Sequence, residues 1–454
     1  MDSTTWFKVF VFYFLWRYAR LIVNLWAFWT FKPIPIPENP TLWPSDVTVI
    51  LPTLDGEGEE LEKTIASIME NEPKELILVT IDENLAKAER TMEKMPAAKY
   101  HRIRCMSVKH ANKRRQMARA IPEVTTEIIV FADDDVTWPE RTLQWMLAPF
   151  EDKRYGGVVT CQRLRRAESP TFSQRIYGFL GALYLERRNF DCAATTHVDG
   201  GVPCLSGRTC AYRTSILQDV NFTNGFTNEK WWFGQFQLNA DDDNFLTRWM
   251  VSHRHETYMQ YHPECEVLTT LEDNPKFLKQ CLRWARSNWR SNLTSMFAER
   301  HIWRAYAVHM TTLMPPAILG DGLLWLCLIK GVRDWPVDQA LTAIYAFAAW
   351  MIFSKFIKLV THFVRYPVDI FLWPVSVLFG WFHGAIKIYA VVTLGVTTWG
   401  SRPNADASDS GRMIRQKKPH CYESGDEKLH EKLLPNDEMM TYANDQKHYQ
   451  PPSA

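Results

Sequence analysis

Apolar residues fall into three regimes along the chain. The first is a run from Trp6 to Phe31, almost wholly apolar and aromatic, broken by Lys8, Arg17, Arg20 and Asn24. It is long enough to cross about 30 Å of hydrocarbon. No small-residue cleavage site precedes Pro33, so a removable signal peptide is the weaker reading. The two arginines call for an interfacial helix or for side chains that face protein. Toward the C-terminus three further runs follow: Tyr306 to Ile329, Ala340 to Val364, and Val368 to Thr398. Pro315-Pro316 and Asp321 interrupt the first of these, which predicts a kink. A kinked apolar segment carrying an acid suits a helix that lines a polar channel, with a re-entrant turn as the plainer alternative. Lys355, Lys358 and Arg365 gather around the turn between the last two runs. The positive-inside rule puts that turn, and the central domain with it, in the cytosol. The same count puts the tail from Ser401 on the far side, although it carries Arg412, Arg415, Lys417 and Lys418. One helix is therefore expected to be interfacial or re-entrant. Residues 401–454 are polar and read as disordered.

Between Pro37 and about Arg300 the pattern becomes short apolar runs alternating with helical stretches. Val47-Thr48-Val49-Ile50-Leu51-Pro52 reads as a buried strand, followed by the loop Thr53-Leu54-Asp55-Gly56-Glu57-Gly58 and a helix from about Glu60 to Glu70. Glu75 to Asp82 and Ile128 to Ala132 read as two more buried strands. Strands alternating with helices predict an α/β, Rossmann-like, mostly parallel sheet. Ligands bind at the carboxyl ends of the strands in such sheets. Asp55, Asp82 and Asp133-Asp134-Asp135 all stand just past strand ends. Their convergence counts for more than any one of them, since a lone Asp there is usually a cap or turn residue. The expected organisation is an N-terminal helix over 1–36, the α/β domain with interfacial helices at its end over 37–300, membrane or channel helices over 301–400, and the tail.

Composition sharpens this only a little. The formal net charge of the 454 residues is +1, so no global field points to nucleic acid. Many of the 19 tryptophans lie in the terminal regions, as in an interfacial belt. The nine cysteines form no CxxC pair, which favours a reducing compartment and small buried hydrophobes over a disulfide framework.

Candidate chemistry sits in two distant strings. The buried strand ending Phe131-Ala132 opens into Asp133-Asp134-Asp135, acids that can hold a divalent cation and through it a diphosphate. Gln280-Cys281-Leu282-Arg283-Trp284, with Arg286 and Arg290 nearby, suits a charged leaving group beside a flat ring. In this order, flanked by hydrophobic runs, the two strings resemble the membrane-embedded processive glycosyltransferases of family 2, which include the hyaluronan, chitin and cellulose synthases. The resemblance covers roughly Val47 to Trp284 and implies a GT-A fold.

Carried over residue by residue, it implies that Thr53 and Asp55 contact the nucleoside and that Asp82 takes the uracil edge, a carboxylate accepting the imide N–H. Lys113 and Arg114, in the basic loop Lys109 to Arg114, would neutralise diphosphate. Asp133-Asp134-Asp135 matches the DxD motif, with Asp135 on Mg²⁺ or Mn²⁺ and Asp133 on the metal, the ribose or the sugar. Cys204 to Arg213 is similar to the acceptor-side stretch of hyaluronan synthases, giving acceptor roles to Ser206, Gly207 and Arg208, although relatives often carry Pro at the Arg208 position. Asn239 to Thr247 resembles the segment that holds the catalytic base, which maps to Asp243, with Asp241 and Asp242 raising its pKa by like-charge repulsion. Gln280, Arg283 and Trp284 match QxxRW, where Gln280 closes on the nucleotide, Arg283 stabilises the departing diphosphate and Trp284 stacks on the acceptor sugar. Trp289 to Trp303 reads as a basic interfacial helix. The implied activity is metal-dependent inverting transfer from a UDP-sugar to a β-linked polysaccharide acceptor. The enzyme would be integral to a bilayer, either plasma membrane or Golgi/ER, and its catalytic domain would face the cytosol. Two rivals stand: a single-transfer glycolipid synthase of ceramide-glucosyltransferase type, and an inactive scaffold.

Overall fold

A computed structural model describes residues 1–96, 101–299 and 316–397. Pro315, Trp303 and the tail from Ser401 lie outside the described residues. At its centre is a seven-stranded sheet: β1 (Val47–Pro52), β2 (Glu75–Ile81), β3 (Ile103–Val108), β4 (Ile128–Ala132), β5 (Tyr155–Thr160), β6 (Thr209–Arg213) and β7 (Glu256–Gln260), in spatial order β7-β5-β6-β4-β1-β2-β3. Only β6 runs antiparallel to its neighbours β4 and β5; every other pairing is parallel.

Period-two alternation explains why these runs are continuous in sequence. Val47, Val49 and Leu51 of β1, with Ile128 and Val130 of β4, join one core cluster, while Ile50, Ile129 and Phe131 join the cluster on the opposite face. A strand buried on both faces has no polar positions to spare. Helix α2 (Glu59–Glu70) caps one face through Leu61, Ile65 and Ile68. Helix α3 (Lys113–Ala120) follows β3, and its Met117 lies in the other cluster.

The antiparallel strand decides what meets what. Ala132, the last residue of β4, pairs with Thr209, the first residue of β6, and the Asp133 N–H donates to the Arg208 carbonyl at 3.0 Å. The end of one strand and the beginning of the other therefore share one edge. Helix α4 (Phe172–Asp199) leads toward that edge, α5 (Asp242–Ser252) starts there, and α6 (Lys276–Leu293) runs past it.

Outside this domain stand α1 (Ser3–Thr30), α7 (Ala317–Gly331), α8 (Val337–Phe356) and α9 (Trp373–Val392). Three helical segments, Ser3–Thr30, Val337–Arg365 and Pro367–Val392, are long and apolar enough to cross a membrane. Gly331 lets α1 come close: a Cβ there would meet the Phe7 backbone at 2.9 Å. The polar breaks in these helices face protein. Arg17 and Lys355 both bind Asp321, at 2.5 and 2.6 Å, and Trp381 donates to the same carboxylate at 2.9 Å. Arg20, Lys358 and Asn24 converge likewise on Asp191 of α4. The Asp321 carboxylate is thus taken up by two cations and an indole, since an unpaired charge among apolar helices is costly. The turn after Val337–Arg365 is tied to the α/β domain: Arg365 pairs with Glu266, and Asp369 pairs with Arg166 and, at 2.8 Å, with buried His362.

Candidate active site

The shared edge of β4 and β6 opens into two adjoining chambers. The larger, about 390 Å³, is lined by Thr53, Lys113, Gln116, Asp133, Asp134, Asp135, Arg208, Thr270, Gln280 and Arg283, among others. The smaller, about 140 Å³, includes Tyr184, Arg188, Cys204, Ser206, Gly207, Asp241, Asp242, Asp243 and Trp284. Lys113, Asp133, Arg208 and Arg283 line both.

Lys113 is the hinge between them. Its ammonium lies 2.7 Å from Asp133 Oδ1 and 3.0 Å from Asp242 Oδ2. Burial alone would lower the lysine pKa, but the two carboxylates outweigh it and hold the pKa above the usual range. Gly207 makes room for this pair, since a Cβ there would stand 3.1 Å from both Asp242 Oδ2 and Lys113 Nζ.

The three acids after β4 are held differently. Asp134 accepts from the Thr53 hydroxyl at 2.9 Å, and Asp135 from the Thr270 hydroxyl at 2.7 Å. Burial, with the charges of Asp133 and Asp134, pushes the Asp135 carboxyl up to about 6. Carboxylates at the floor of a cleft are the oxygen ligands that a hard divalent cation takes. Among the described residues no three His, Cys, Asp or Glu side chains come together as a metal site, so a cation held by Asp133 and Asp135 would draw its further ligands from a bound molecule.

The acids at the start of α5 have separate environments. Asp241 adopts the left-handed conformation (φ 68°) and turns its carboxylate to Arg290, at 2.8 Å. Burial works to raise the Asp242 pKa, yet Lys113 holds it below the ordinary value. Asp243 is pushed up by burial and then by the Asp242 charge, with Arg188 and Lys113 opposing. The expected repulsion thus comes from Asp242, and Asp241 is drawn off by Arg290. Trp284 stacks with Tyr184, ring centroids 4.7 Å apart, and the Arg208 guanidinium lies 5.5 Å from the Trp284 ring.

Several expected contacts fall elsewhere. Arg114 is buried at 1% exposure and donates to the carbonyls of Ala240 and Phe226 and to Glu229, so it braces the approach to α5 and does not face either chamber. Asp55 and Asp82 are exposed past β1 and β2 and line neither chamber. Thr53, Lys113, Asp133, Asp135, Gln280 and Arg283 are brought together in the larger chamber, and Ser206, Gly207, Asp242, Asp243 and Trp284 in the smaller. Sequence reasoning missed Tyr184, Arg188, Gln116 and Thr270. Gln116 clamps β1 to β2 by donating to the Thr53 and Val79 carbonyls, both at 2.8 Å. Tyr184 and Arg188 are four residues apart, one face of a helix, which was the only signal they offered.

The family described as "Glycosyltransferase like family 2" matches residues 44–287. A "Type 2 glycosyltransferase" of Zymoseptoria tritici is 53% identical over 414 residues, 90% of this chain and 86% of that protein. An "NDP-glycosyltransferase ltbB" of Aspergillus luteorubrus is 28% identical, covering 87% of this chain and 98% of its own. Among solved structures, a mannosyltransferase from Pyrobaculum calidifontis in complex with GDP-Man and Mn²⁺ is similar with a TM-score of 0.53 at 16% identity, covering 86% of this chain and 98% of that one. That last likeness is one of fold, the GT-A arrangement of a mostly parallel sheet with flanking helices.

Proposed function

The chain belongs to glycosyltransferase family 2, and from that premise we propose that it is an inverting enzyme that moves a sugar from a UDP-sugar to the end of a β-linked polysaccharide while seated in a membrane. The observation that carries this reading is the pair of chambers with a common wall at Lys113, Asp133, Arg208 and Arg283. A donor in the larger chamber would present its anomeric carbon to an acceptor in the smaller.

In this reading Asp243 takes the proton of the acceptor hydroxyl, whose oxygen then attacks the anomeric carbon from the face opposite the diphosphate. The bond from that carbon to the diphosphate oxygen breaks, and the electron pair leaves with the nucleotide. One displacement inverts the configuration. The division of labour between Asp243 and Asp242 follows from their surroundings: a carboxylate raised toward neutrality can receive a proton, and one paired to a lysine cannot. Lys113 and Arg283 stand where charge would accumulate on the leaving group. A Mg²⁺ or Mn²⁺ held by Asp135 and Asp133 would add Lewis acidity at the diphosphate. Thr53 and Gln280 would contact the nucleotide, and Ser206, Gly207 and Trp284 the acceptor.

The membrane part of the proposal rests on the three apolar helices and on the turn that Arg365 and Asp369 fasten to the catalytic domain. The basic residues Lys355, Lys358 and Arg365 lie at the end of the helical segment that leads into that turn, so domain and turn share the cytosolic side under the positive-inside rule. A second reading, one sugar transferred to a lipid, gains from Asp321. Its carboxylate is saturated by Arg17, Lys355 and Trp381, which removes one motive for a polymer channel. The test is UDP and GDP release by detergent-purified protein over a panel of UDP- and GDP-sugars, followed by sizing of the product. A chain of kilodaltons supports the first reading, a single sugar on lipid the second, and release of no nucleotide from any donor refutes both.

A further inference from the structure

Resting on the reading of the smaller chamber as the acceptor side, we infer that Arg188 and Arg208 form a site for a sugar carboxylate, so that one of the two substrates is a hexuronate.

The two guanidinium groups are bound only by neutral oxygens. Arg188 donates to Gln162 Oε1 at 3.3 Å and to the Cys204 carbonyl at 2.8 Å. Arg208 donates to the same Gln162 Oε1 at 3.3 Å and to Ser206 Oγ at 3.4 Å. Among the described residues, neither has a carboxylate within 4 Å, whereas the buried arginines 163, 248 and 290 each have one. Two cations held at one amide oxygen repel each other, and that arrangement is worth keeping where a bound anion relieves it. Gln162 itself is 2% exposed, and its Nε2, a donor, has no partner among the described residues.

The acids nearby do not serve. Asp133 and Asp242 are committed to Lys113, and Asp241 to Arg290. That leaves Asp243, whose Oδ1 accepts the Asn244 N–H, as the one carboxylate of the smaller chamber outside an ion pair among the described residues, against the two guanidinium groups of Arg188 and Arg208. Diphosphate, in the reading above, is met by Lys113 and Arg283 in the larger chamber. The planar fork of guanidinium matches a carboxylate with two parallel hydrogen bonds. Beside it stand the stacked rings of Trp284 and Tyr184, flat surfaces on the scale of a pyranose. Because Arg208 lines both chambers, the carboxylate can belong to the donor sugar or to the acceptor end.

The full chain in detergent would be given UDP-glucose or UDP-glucuronate, each with a neutral or a uronate-ended oligosaccharide. The expected result is a preference for the uronate in one arm, and the arm names its source. Losing a hydrogen bond to a charged group should cost roughly 10- to 100-fold, or about 1.4–2.7 kcal/mol. Arg208→Gln and Arg188→Gln should therefore cut kcat/KM for the uronate substrate by about that factor. In Arg188→Gln, which alters only the smaller chamber, the neutral analogue should change far less and UDP affinity should hold. Arg208→Lys, which keeps the charge, should recover part of the preference, and thermal unfolding separates these effects from misfolding. Turnover of neutral sugars alone, dependence on a phosphate-bearing lipid acceptor, or loss of UDP affinity in step with activity would each overturn the inference while leaving glycosyl transfer intact. Absence of turnover with every donor would instead remove the reading beneath it, and the inference with it.

Discussion

Asp243→Asn separates the two chambers experimentally. Asp243 lines only the smaller chamber, and its Oδ1 accepts the backbone N–H of Asn244 at 2.8 Å. An asparagine oxygen can accept the same bond, so the start of α5 should survive. What is lost is a proton acceptor, which contributes roughly 10²–10⁴-fold in rate. That corresponds to about 2.7–5.4 kcal/mol on the barrier. UDP binding should be unchanged or slightly tighter, because one negative charge near the diphosphate is gone. The control is Asp242→Asn. Asp242 is 5% exposed and paired to Lys113, and breaking a buried pair costs about 3–5 kcal/mol. The lower end applies, since Asp133 still holds the lysine. Asp242→Asn should thus lower the unfolding temperature, which Asp243→Asn should not. Steady-state UDP release, calorimetric UDP titration and thermal unfolding read the three quantities. In the wild type, rate should fall with pH as Asp243 takes up a proton. Burial and the Asp242 charge raise its pKa, so this limb should lie above the ordinary 3.8, and Asp242→Asn should move it down. Near-normal turnover in Asp243→Asn would refute the assignment of the base.

Other outcomes follow from the same geometry. Asp135→Ala should weaken metal-dependent UDP binding, and EDTA should reproduce the loss in the wild type; equal UDP affinity with and without metal would contradict the cation site. Gly207→Ala should disturb Lys113 and Asp242 together, because the new Cβ stands 3.1 Å from both, and turnover should fall with little change in far-ultraviolet circular dichroism. Asp321→Ala should strand Arg17 and Lys355 among apolar helices and lower detergent melting, a loss of about 3–5 kcal/mol; an unchanged melting curve would show that the three charges do not act together.

Much of the sheet was legible because burial on both faces leaves an unbroken apolar run: Val47–Pro52 and Ile128–Ala132 stand where the pattern put them. The acids after β4 and the string around Arg283 were legible because strand ends and clustered charge are local signals. What was not legible depends on rotation and on partners. Lys113 and Arg114 are adjacent in sequence, but successive residues on a helix point about 100° apart. Lys113 therefore enters the cleft while Arg114 turns to the carbonyls of Ala240 and Phe226. Asp241 looks like its two neighbours until Arg290, 49 positions on, claims it. Asp321 and Arg17 are 304 positions apart, and no local pattern announces their bond.

The ties between the apolar helices and the sheet domain bear on how this protein can be handled. A fragment cut near Arg300 to obtain a soluble catalytic unit would part Glu266 from Arg365 and Arg166 from Asp369, and would take Lys358 from Asp191. It would also uncover Phe179, Leu180 and Leu183 of α4 and Phe277 and Cys281 of α6, which share a core with Leu359 and Phe363. Helices that look like a detachable tether serve as one wall of the globular part. Expression work is therefore better directed at whole chains in mild detergent or nanodiscs than at trimmed domains, and a truncated product that aggregates would reflect an opened core, with no fault in its catalytic residues.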